Sequence, residues 1–284
     1  MGDRLQAAGP GTGVGSSRAI AGSPEARRRV ASVSRIVIGI VAFFLILEFI
    51  TSLGLVPAIY LPRASTVVAR MAELLIDPKF LKQIVATLEA WAAGLALAIL
   101  ISVPAGILIG TSELAYKMTA PVIEFMRPIP SVALIPLAIL LWGQGFLMKI
   151  ILVAYATSWP ILYNTVYGVH DVDPMAVQTA RCFGLKHRAI LWRISFPSAA
   201  PLIFTGIRIS VSIGLIVVIA AELLASADSG IGSYILFVSL NGGQMDSVLA
   251  GAAIAGIVGV LINSLFGMID RRLFGWRYFG AAAS

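Results

Sequence analysis

Residues 173–197 read DPMAVQTARCFGLKHRAILWRISFP and form a polar, basic stretch in a chain that is otherwise strongly apolar. The stretch carries Arg181, Lys186, Arg188 and Arg193, and long apolar segments lie on both sides of it. Positively charged segments between membrane spans stay on the cytoplasmic side. The stretch therefore predicts a cytoplasmic loop that joins two membrane spans.

The composition places the rest of the chain in a bilayer. Hydrophobic residues make up 58% of the 284 residues, charged residues make up 12%, and the mean hydropathy is +0.93, which is too apolar for an ordinary soluble domain. The net charge of +7 does not indicate nucleic-acid binding, because the basic residues alternate with apolar spans. The single Cys182 excludes a disulfide framework, and no zinc-ligand spacing is present, so we expect no bound metal.

Six apolar stretches meet or approach the length of about 20 residues that a transmembrane helix needs. They are residues 36–56, 84–110, 120–142, 148–169, 202–225 and 248–269. The basic residues concentrate in the tail and in connections 111–119, 170–201 and 270–284, which predicts that these lie inside and that 57–83, 143–147 and 226–247 lie outside. We predict an all-α, multi-pass protein of the plasma or inner membrane with about six transmembrane helices and both termini in the cytoplasm.

The segments around the first span have separate interpretations. Residues 1–35 are rich in Gly, Ala and Ser and carry six arginines, which predicts a disordered cytoplasmic tail. A cleaved signal peptide is a second interpretation, but the polar region before the apolar run is too long for one. Within 57–83, helical spacing of apolar residues predicts a helix that lies in the membrane interface.

The third span contains prolines that a regular helix cannot accommodate without losing backbone hydrogen bonds. They are Pro121, Pro128, Pro130 and Pro136, and Arg127 directly precedes Pro128. Irregular backbone survives in a bilayer only where it is buried in protein or lines a wet cavity. Residues 127–136 are therefore candidates for lining or gating a pathway; the alternative is a kinked packing helix with Arg127 reaching the headgroups.

Two other features mark the later spans. Small residues recur at helical spacing and predict close helix packing, at Gly206, Ser210 and Gly214 in the fifth span, at Gly256 and Gly259 in the sixth, and at Gly106 and Gly110 in the second. Glu222 lies near the outer end of the fifth span, and ionisable groups in spans are functional candidates, so we take Glu222 as a candidate gate or docking residue. For Arg208, near the inner end of that span, we expect the side chain to reach the phosphate headgroups.

The basic stretch has clear helix boundaries. Asp173 followed by Pro174 predicts an N-cap and a first helical position, and Gly184 suits the left-handed position after a helix end. A second short helix is predicted over 186–194, ending before Pro197. That helix is apolar on two faces, which predicts that it is held between the membrane bundle and a partner protein.

The spacing within the stretch resembles the EAA loop of the membrane-spanning permease subunits of bacterial ABC importers. That pattern is Glu-Ala-Ala, three residues, Gly, nine residues, Ile, one residue and Leu-Pro. Here Ala180, Gly184, Ile194 and Pro197 match, while Gln178 stands for the Glu, Thr179 for the first Ala and Phe196 for the Leu. The resemblance predicts an ATPase-coupling loop over 171–197 that includes Asp173, Gln178, Ala180, Phe183, Gly184, Trp192, Ile194 and Pro197. Because Gln178 is neutral, we expect docking to depend more on Phe183 and Trp192.

From about residue 60 to residue 278 the chain resembles the nitrate, sulfonate and taurine branch of these permeases. The segments that carry this resemblance are Leu61-Pro62, Arg127-Pro128-Ile129-Pro130, Leu134-Ile135-Pro136-Leu137, 169–174, 205–208, Ala221-Glu222 and Gly230-Ile231-Gly232. It implies a type I permease domain over 57–278 with five further spans after the first, and a short tail over 279–284. It also implies a second permease copy, a cytoplasmic ATPase dimer and an external solute-binding protein.

The resemblance further implies a non-catalytic subunit that moves a small solute such as nitrate, a sulfonate or taurine, with ATP and Mg²⁺ held by the partner ATPase. In agreement, no GxxxxGK[ST] phosphate loop occurs in the sequence. An alternative is a secondary transporter or channel driven by an ion gradient, although no clear internal repeat or acidic relay is visible. An intramembrane hydrolase is less consistent, because no nucleophile has a plausible base within the spans.

Overall fold

The computed structural model describes residues 35, 38–39, 41–42, 45–53, 57, 60–225, 229–242 and 244–275. Within them the secondary structure is helical, with no strand. Residues 45–52 of the first predicted span are helical, and the other described residues between 35 and 42 are too. The rest of that span, the N-terminal tail and the tail 279–284 lie outside the described residues.

The helices that follow are named here in chain order. They are α1 (Ala64–Ile76), α2 (Pro78–Gly110), α3 (Glu113–Met126), a 3₁₀ turn (Ser131–Leu134), α4 (Ile135–Trp142), α5 (Phe146–His170), α6 (Pro174–Cys182), α7 (His187–Ile190), a π-helical turn (Leu191–Ser195), α8 (Phe196–Ala225), α9 (Ile231–Leu240) and α10 (Met245–Phe274).

Helices α2 and α5 pack side by side through glycines. A Cβ atom added at Gly94 would lie 2.6 Å from the Val153 Cβ, and one added at Gly106 would lie 2.6 Å from the Thr165 Cβ. From Gly94 to Gly106 on α2 the contacted residue on α5 advances by the same number of positions, from Val153 to Thr165, so the two helices run parallel. Because side-chain atoms would collide at these distances, glycine is what permits the backbone approach. The small-residue contact predicted at Gly106 is confirmed, and Gly110 lies equally close to α5.

Helix α8 packs antiparallel to α5 through the predicted small residues. A Cβ atom at Gly206 would lie 2.8 Å from the Asn164 Cβ, and Gly214 lies against Thr157. Between them, the buried Ser210 hydroxyl donates to the Thr157 carbonyl oxygen at 2.8 Å. The small-residue stripe of the fifth predicted span is therefore a helix contact within this chain.

The corresponding stripe on α10 has no close neighbour among the described residues. Added Cβ atoms at Gly256 and Gly259 meet no described atom within 4 Å. Helix α10 instead contacts α1 and α9 through another face, where Ala250 and Ile254 join a cluster with Leu74 of α1. A contact of the glycine face with another chain stays a prediction.

The cluster around Leu74 shows what covers the apolar stripe of the helix predicted within 57–83. Helix α1 forms there, and Val67, Met71 and Leu74 pack against the chain's own apolar cluster, while Leu75 is exposed. The place of α1 in the membrane interface stays a prediction. The sequence spacing defines the apolar stripe correctly. Which surface covers that stripe depends on α9 and α10, which come more than 150 residues later in the chain.

Among the described residues, four helices are long and apolar enough to cross a membrane: Pro78–Gly110, Phe146–His170, His187–Ala225 and Met245–Phe274. Glu113–Met126 and Ser131–Trp142 meet the same criteria as a pair bent by 78°, and they add a fifth span if the pair crosses as one. The predicted break at the prolines is thus confirmed. Two predicted connections contain helices: 111–119 includes the start of α3, capped by the Ser112 hydroxyl, and 226–247 contains α9. The side of the membrane on which each lies stays a prediction.

The two ends of the antiparallel bundle are distinguished by the helices that begin and finish there. At one end, called the loop end, α2 and α5 finish and residues 171–195 project. At the other, called the opposite end, α8 finishes, α9 begins, and the first turns of α2 and α5 lie.

Candidate functional site

Helix α6, at the loop end, begins as its sequence predicts. The Asp173 carboxylate accepts a hydrogen bond from the Met175 N–H at 2.8 Å, and Pro174 occupies the first turn. A free first-turn N–H is therefore satisfied by the cap, and the proline removes another that would need a partner. The predicted N-terminus of this helix is confirmed.

The end of α6 is fixed by Gly184, whose φ of +77° lies in the left-handed region. The Leu185 N–H donates to the Ala180 carbonyl oxygen at 3.1 Å, and the Gly184 N–H donates to the Arg181 carbonyl oxygen at 2.9 Å. These two bonds define a Schellman motif, which uses glycine because a side chain is strained at this φ. The predicted role of Gly184 as a helix terminator is confirmed.

The second predicted helix does not end before Pro197. Helix α7 continues through the π-helical turn into α8, giving one helical segment over His187–Ala225. The Phe196 N–H donates to the Leu191 carbonyl oxygen, five residues back, so the hydrogen-bond register changes just before the proline. Pro197 then lies in the first turn of α8, where a missing N–H is tolerated.

The loop segment has one side buried and one side exposed. Ala180 and Ile190 are buried against the chain, and Ile194 is half-buried. Phe183 is 82% exposed and Trp192 is 62% exposed, although both are large apolar side chains. The other predicted loop residues, Asp173, Gln178, Gly184 and Pro197, are also exposed. The structure therefore anchors the loop through Ala180 and Ile190 and leaves Phe183 and Trp192 exposed within the described chain.

The proline-rich candidate pathway segment forms the break between α3 and α4. Pro128 and Pro130 lie in the break, and Pro136 lies in the first turn of α4. Arg127 ends α3, and its guanidinium carbon lies 4.6 Å from the centroid of the Tyr163 ring on α5. This cation–π contact holds Arg127 against the chain's own aromatic surface. Its role in a pathway stays a prediction.

At the opposite end the structure reveals a buried ion pair that the sequence did not indicate. Glu222 is 0% exposed and Lys149 is 1% exposed, and the Lys149 Nζ lies 3.2 Å from the Glu222 Oε1. The Thr87 hydroxyl lies 3.0 and 2.9 Å from the two carboxylate oxygens. The ammonium also donates to the Ser229 carbonyl oxygen at 2.7 Å.

These side chains, with Gln83, are called here the Glu222 cluster (Gln83, Thr87, Lys149 and Glu222), and they bind the start of α9. The Gly230 N–H donates to Gln83 at 2.6 Å, the Ile231 N–H donates to Thr87 at 2.9 Å, and the Gly232 N–H donates to Glu222 at 3.0 Å. Helix N-termini leave such groups free and favour negative charge. The cluster therefore joins α2, α5 and α8 to α9.

The sequence contained one signal for this cluster. Lys149 and Glu222 both lie near predicted outer ends of spans, and pairing them would have required knowing that α5 and α8 are antiparallel neighbours. For Arg208, the reach to the phosphate headgroups stays a prediction. Its guanidinium lies 3.3 Å from the Asp270 carboxylate on α10, so it has a protein partner.

Among the described residues, no group of three or more His, Cys, Asp or Glu side chains has metal-binding geometry.

A bundle of long apolar helices, with a capped basic segment of two short helices projecting from one end, defines the class of polytopic membrane proteins. Residues 102–275 match the family model of the binding-protein-dependent transport system inner membrane component. The chain belongs to this family and is an ABC importer permease subunit of the binding-protein-dependent type, a multi-pass inner membrane protein.

Similar proteins include permeases named for taurine, aliphatic sulfonates and nitrate. The taurine transport system permease protein TauC of Escherichia coli is 30% identical over 80% of this chain and 84% of its own length. A permease of Bacillus subtilis named for aliphatic sulfonates is 31% identical over 81% and 83%. The nitrate import permease protein NrtB of Leptolyngbya laminosa is 29% identical over 74% and 78%.

Solved structures support the fold. The inward-facing MetNI methionine ABC transporter has a chain with a TM-score of 0.58 at 17% identity, covering 68% of this chain and 95% of that one. A bacterial alginate ABC importer has a TM-score of 0.57 at 15% identity, covering 88% and 98%. The predicted type I importer permease bundle is therefore confirmed as the fold.

Proposed function

We propose that this chain is the non-catalytic subunit that forms the translocation pathway for a small anion and couples to a separate ATPase through residues 171–197. The observation that carries the coupling proposal is the exposure of Phe183 and Trp192 on a loop anchored by Ala180 and Ile190. Large exposed apolar groups on a structured loop favour a protein partner, because a partner removes them from water.

The loop geometry suits the transmission of movement. The Gly184 turn fixes the angle between α6 and α7, and α7 continues without interruption into α8. A force applied at Phe183 and Trp192 would therefore reach a membrane-spanning helix through a continuous helical segment. ATP and Mg²⁺ would be held by the partner ATPase dimer, and the loop end with both termini would face the cytoplasm.

The proposal includes a second permease copy and an external solute-binding protein. The glycine face of α10 at Gly256 and Gly259 has no neighbour among the described residues, which leaves it available to another helix. Small residues on such a face permit close helix contact in a membrane. A homodimer that shares one central pathway is consistent with this uncovered face.

For the substrate we propose a small oxyanion or sulfonate, such as nitrate, an alkyl sulfonate or taurine. The support is the resemblance to permeases named for taurine, sulfonate and nitrate. We expect the binding protein to supply most of the selectivity. The test is to reconstitute the complete transporter and to measure ATP hydrolysis with binding protein loaded with each anion. Equal stimulation by an unrelated neutral solute would contradict the substrate class.

The coupling proposal is tested by Gly184→Glu. At φ +77° the new side chain is strained, and its charge would lie next to the exposed Phe183. We expect the variant to lose co-purification with the ATPase and to lose uptake. Gly242→Glu is the matched control, because Gly242 also has a positive φ, of 67°, and open space around it, but lies between α9 and α10 at the opposite end.

The control variant should retain ATPase association. If Gly184→Glu also retained both association and uptake, the loop would not be the coupling element. If the wild-type chain supported uptake without any ATPase, the alternative of an ion-gradient-driven transporter would replace the proposed function.

A further inference from the structure

A polar cavity of about 300 Å³ lies at the loop end, between the loop and the ends of α2 and α5. Polar side chains of both the bundle and the loop segment line the cavity. The bundle contributes Thr111 and His170, and the loop segment contributes Gln178, Arg181, His187 and Ser195. The volume is at the small end of the range for ligand pockets, so it suits a small ligand.

The lining of the cavity is basic. Arg181 carries a permanent charge and five N–H donors, and it forms no ion pair among the described residues. His187 and Gln178 add further N–H donors. No carboxylate belongs to the lining in the part of the chain that the structure describes. Such a donor set matches an oxyanion, whose several oxygens accept hydrogen bonds.

Three carboxylates lie beside this lining without belonging to it. Asp171 and Asp173 are sequence neighbours of lining residues, and the Asp173 carboxylate accepts the Met175 N–H of α6. Glu113 lies 3.9 Å from the His170 Nε2, and its other oxygen lies 3.0 Å from the Lys117 Nζ. His170 also stacks on the Tyr116 ring at 4.1 Å between centroids, which fixes the imidazole at the edge of the cavity. None of these carboxylates forms an ion pair with Arg181 among the described residues.

We propose that this cavity is a regulatory site for a free small oxyanion or sulfonate in the cytoplasm, and that the bound anion holds the loop against the bundle. An anion in the cavity would bridge Arg181 and His187 on the loop to Thr111 and His170 on the bundle. A ligand that contacts both sides favours the conformation in which they are close. Because coupling requires the loop to move, occupancy slows ATP-driven transport as the anion accumulates. This inference rests on the proposed function of residues 171–197.

Gln178 offers a specific test of the charge argument. It lies in the cavity at the position where the resembled pattern has Glu, and the amide keeps the lining free of negative charge. Gln178→Glu would place a carboxylate beside Arg181 with almost no change in volume. The carboxylate would compete with an incoming anion for the guanidinium, so we expect anion binding to weaken.

The primary experiment measures sulfate and taurine binding by titration calorimetry to the full chain in phosphatidylcholine nanodiscs. We expect Arg181→Gln and Gln178→Glu each to weaken binding at least about tenfold, as expected for the loss of one charge-assisted hydrogen bond. Arg188→Gln is the matched control, because Arg188 is exposed on α7 and does not line the cavity. Equal effects of the three variants, or no binding by the wild type, would overturn the proposal.

A second arm distinguishes a free anion from a lipid headgroup. The titration is repeated in nanodiscs that contain phosphatidylglycerol. Unchanged sulfate affinity supports a free-anion site, whereas loss of sulfate binding in anionic lipid would assign the cavity to a lipid phosphate and overturn the regulatory proposal.

The final arm measures ATP hydrolysis by the assembled transporter with sulfate on the loop side. Each variant is compared with its own rate of hydrolysis without sulfate, and we expect inhibition that Arg181→Gln relieves in parallel with its weaker binding. Anion binding without inhibition of ATP hydrolysis would overturn the proposal that the cavity is regulatory. Failure of the wild-type chain to associate with an ATPase would instead contradict the proposed function, which separates the two conclusions.

Discussion

The Glu222 cluster leads to the most quantitative prediction, which concerns Lys149→Met. Methionine has a similar length and fits an apolar surrounding, but it removes the ammonium that lies 3.2 Å from the Glu222 carboxylate. Glu222 is 0% exposed, so water cannot replace the lost partner. The Thr87 hydroxyl and the Gly232 N–H remain, but neither supplies a positive charge.

The expected loss of stability follows from the geometry. Two unit charges 3.2 Å apart attract by about 5 kcal/mol at an effective dielectric constant of 20. Removing one member of a buried pair costs about 3–5 kcal/mol, because the other charge stays buried without compensation. We therefore expect Lys149→Met to lower the free energy of unfolding by about 3–5 kcal/mol.

The assay is denaturant unfolding of the purified chain in a mild detergent, followed by tryptophan fluorescence. Lys149→Met, Glu222→Gln and the double variant form a double-mutant cycle, in which the double variant should be less destabilised than the sum of the single variants. Lys117→Met is the matched control, because its pair with Glu113 spans 3.0 Å but is exposed to water, and should cost below about 1 kcal/mol.

Two results would refute this reasoning. One is a Lys149→Met variant as stable as the Lys117→Met control, which would show that the buried charge is compensated by other groups. The other is strictly additive destabilisation in the double variant, which would show that the two side chains act independently.

Three further predictions concern other parts of the bundle. Arg127→Ala, which removes the cation–π contact with Tyr163, should impair transport while ATPase association persists; unchanged uptake would contradict a pathway role. Gly106→Leu should prevent stable folding, seen as aggregation in size-exclusion chromatography, because its Cβ atom would lie 2.6 Å from the Thr165 Cβ. Asp173→Ala should destabilise α6 by about 1 kcal/mol through loss of its N-cap, and faster amide exchange at Met175 should report that loss.

Local structure in the coupling loop could be predicted from the sequence, because its determinants are adjacent in the chain. Asp173 caps the residue two positions later, and Gly184 ends a helix whose last residues are its immediate neighbours. The end of the second helix was predicted wrongly at Pro197. A proline signals a missing N–H, but only the hydrogen-bond register of the preceding turn decides whether the helix stops there.

Most membrane spans could likewise be predicted, because a sufficiently long run of apolar residues is enough to indicate a transmembrane helix. Helix α9 was missed because its ten residues are too few to span a membrane. It exists because its first N–H groups find acceptors on α2 and α8, and its apolar residues find the cluster around Leu74. The spacing of residues within so short a segment does not reveal these acceptors or this cluster.

The sequence by itself determined the apolar spans, the break at the prolines, the caps of α6 and the family of importer permeases. Each of these depends on residue type and on spacing along a short length of chain. The tertiary structure alone decided which charges are paired and where a cavity forms. Glu222 is 73 residues from Lys149 and 135 residues from Thr87, and Gly256 is uncovered while Gly206 is packed. Such facts follow from which helices are neighbours, and neighbours are set by the packing of the whole chain.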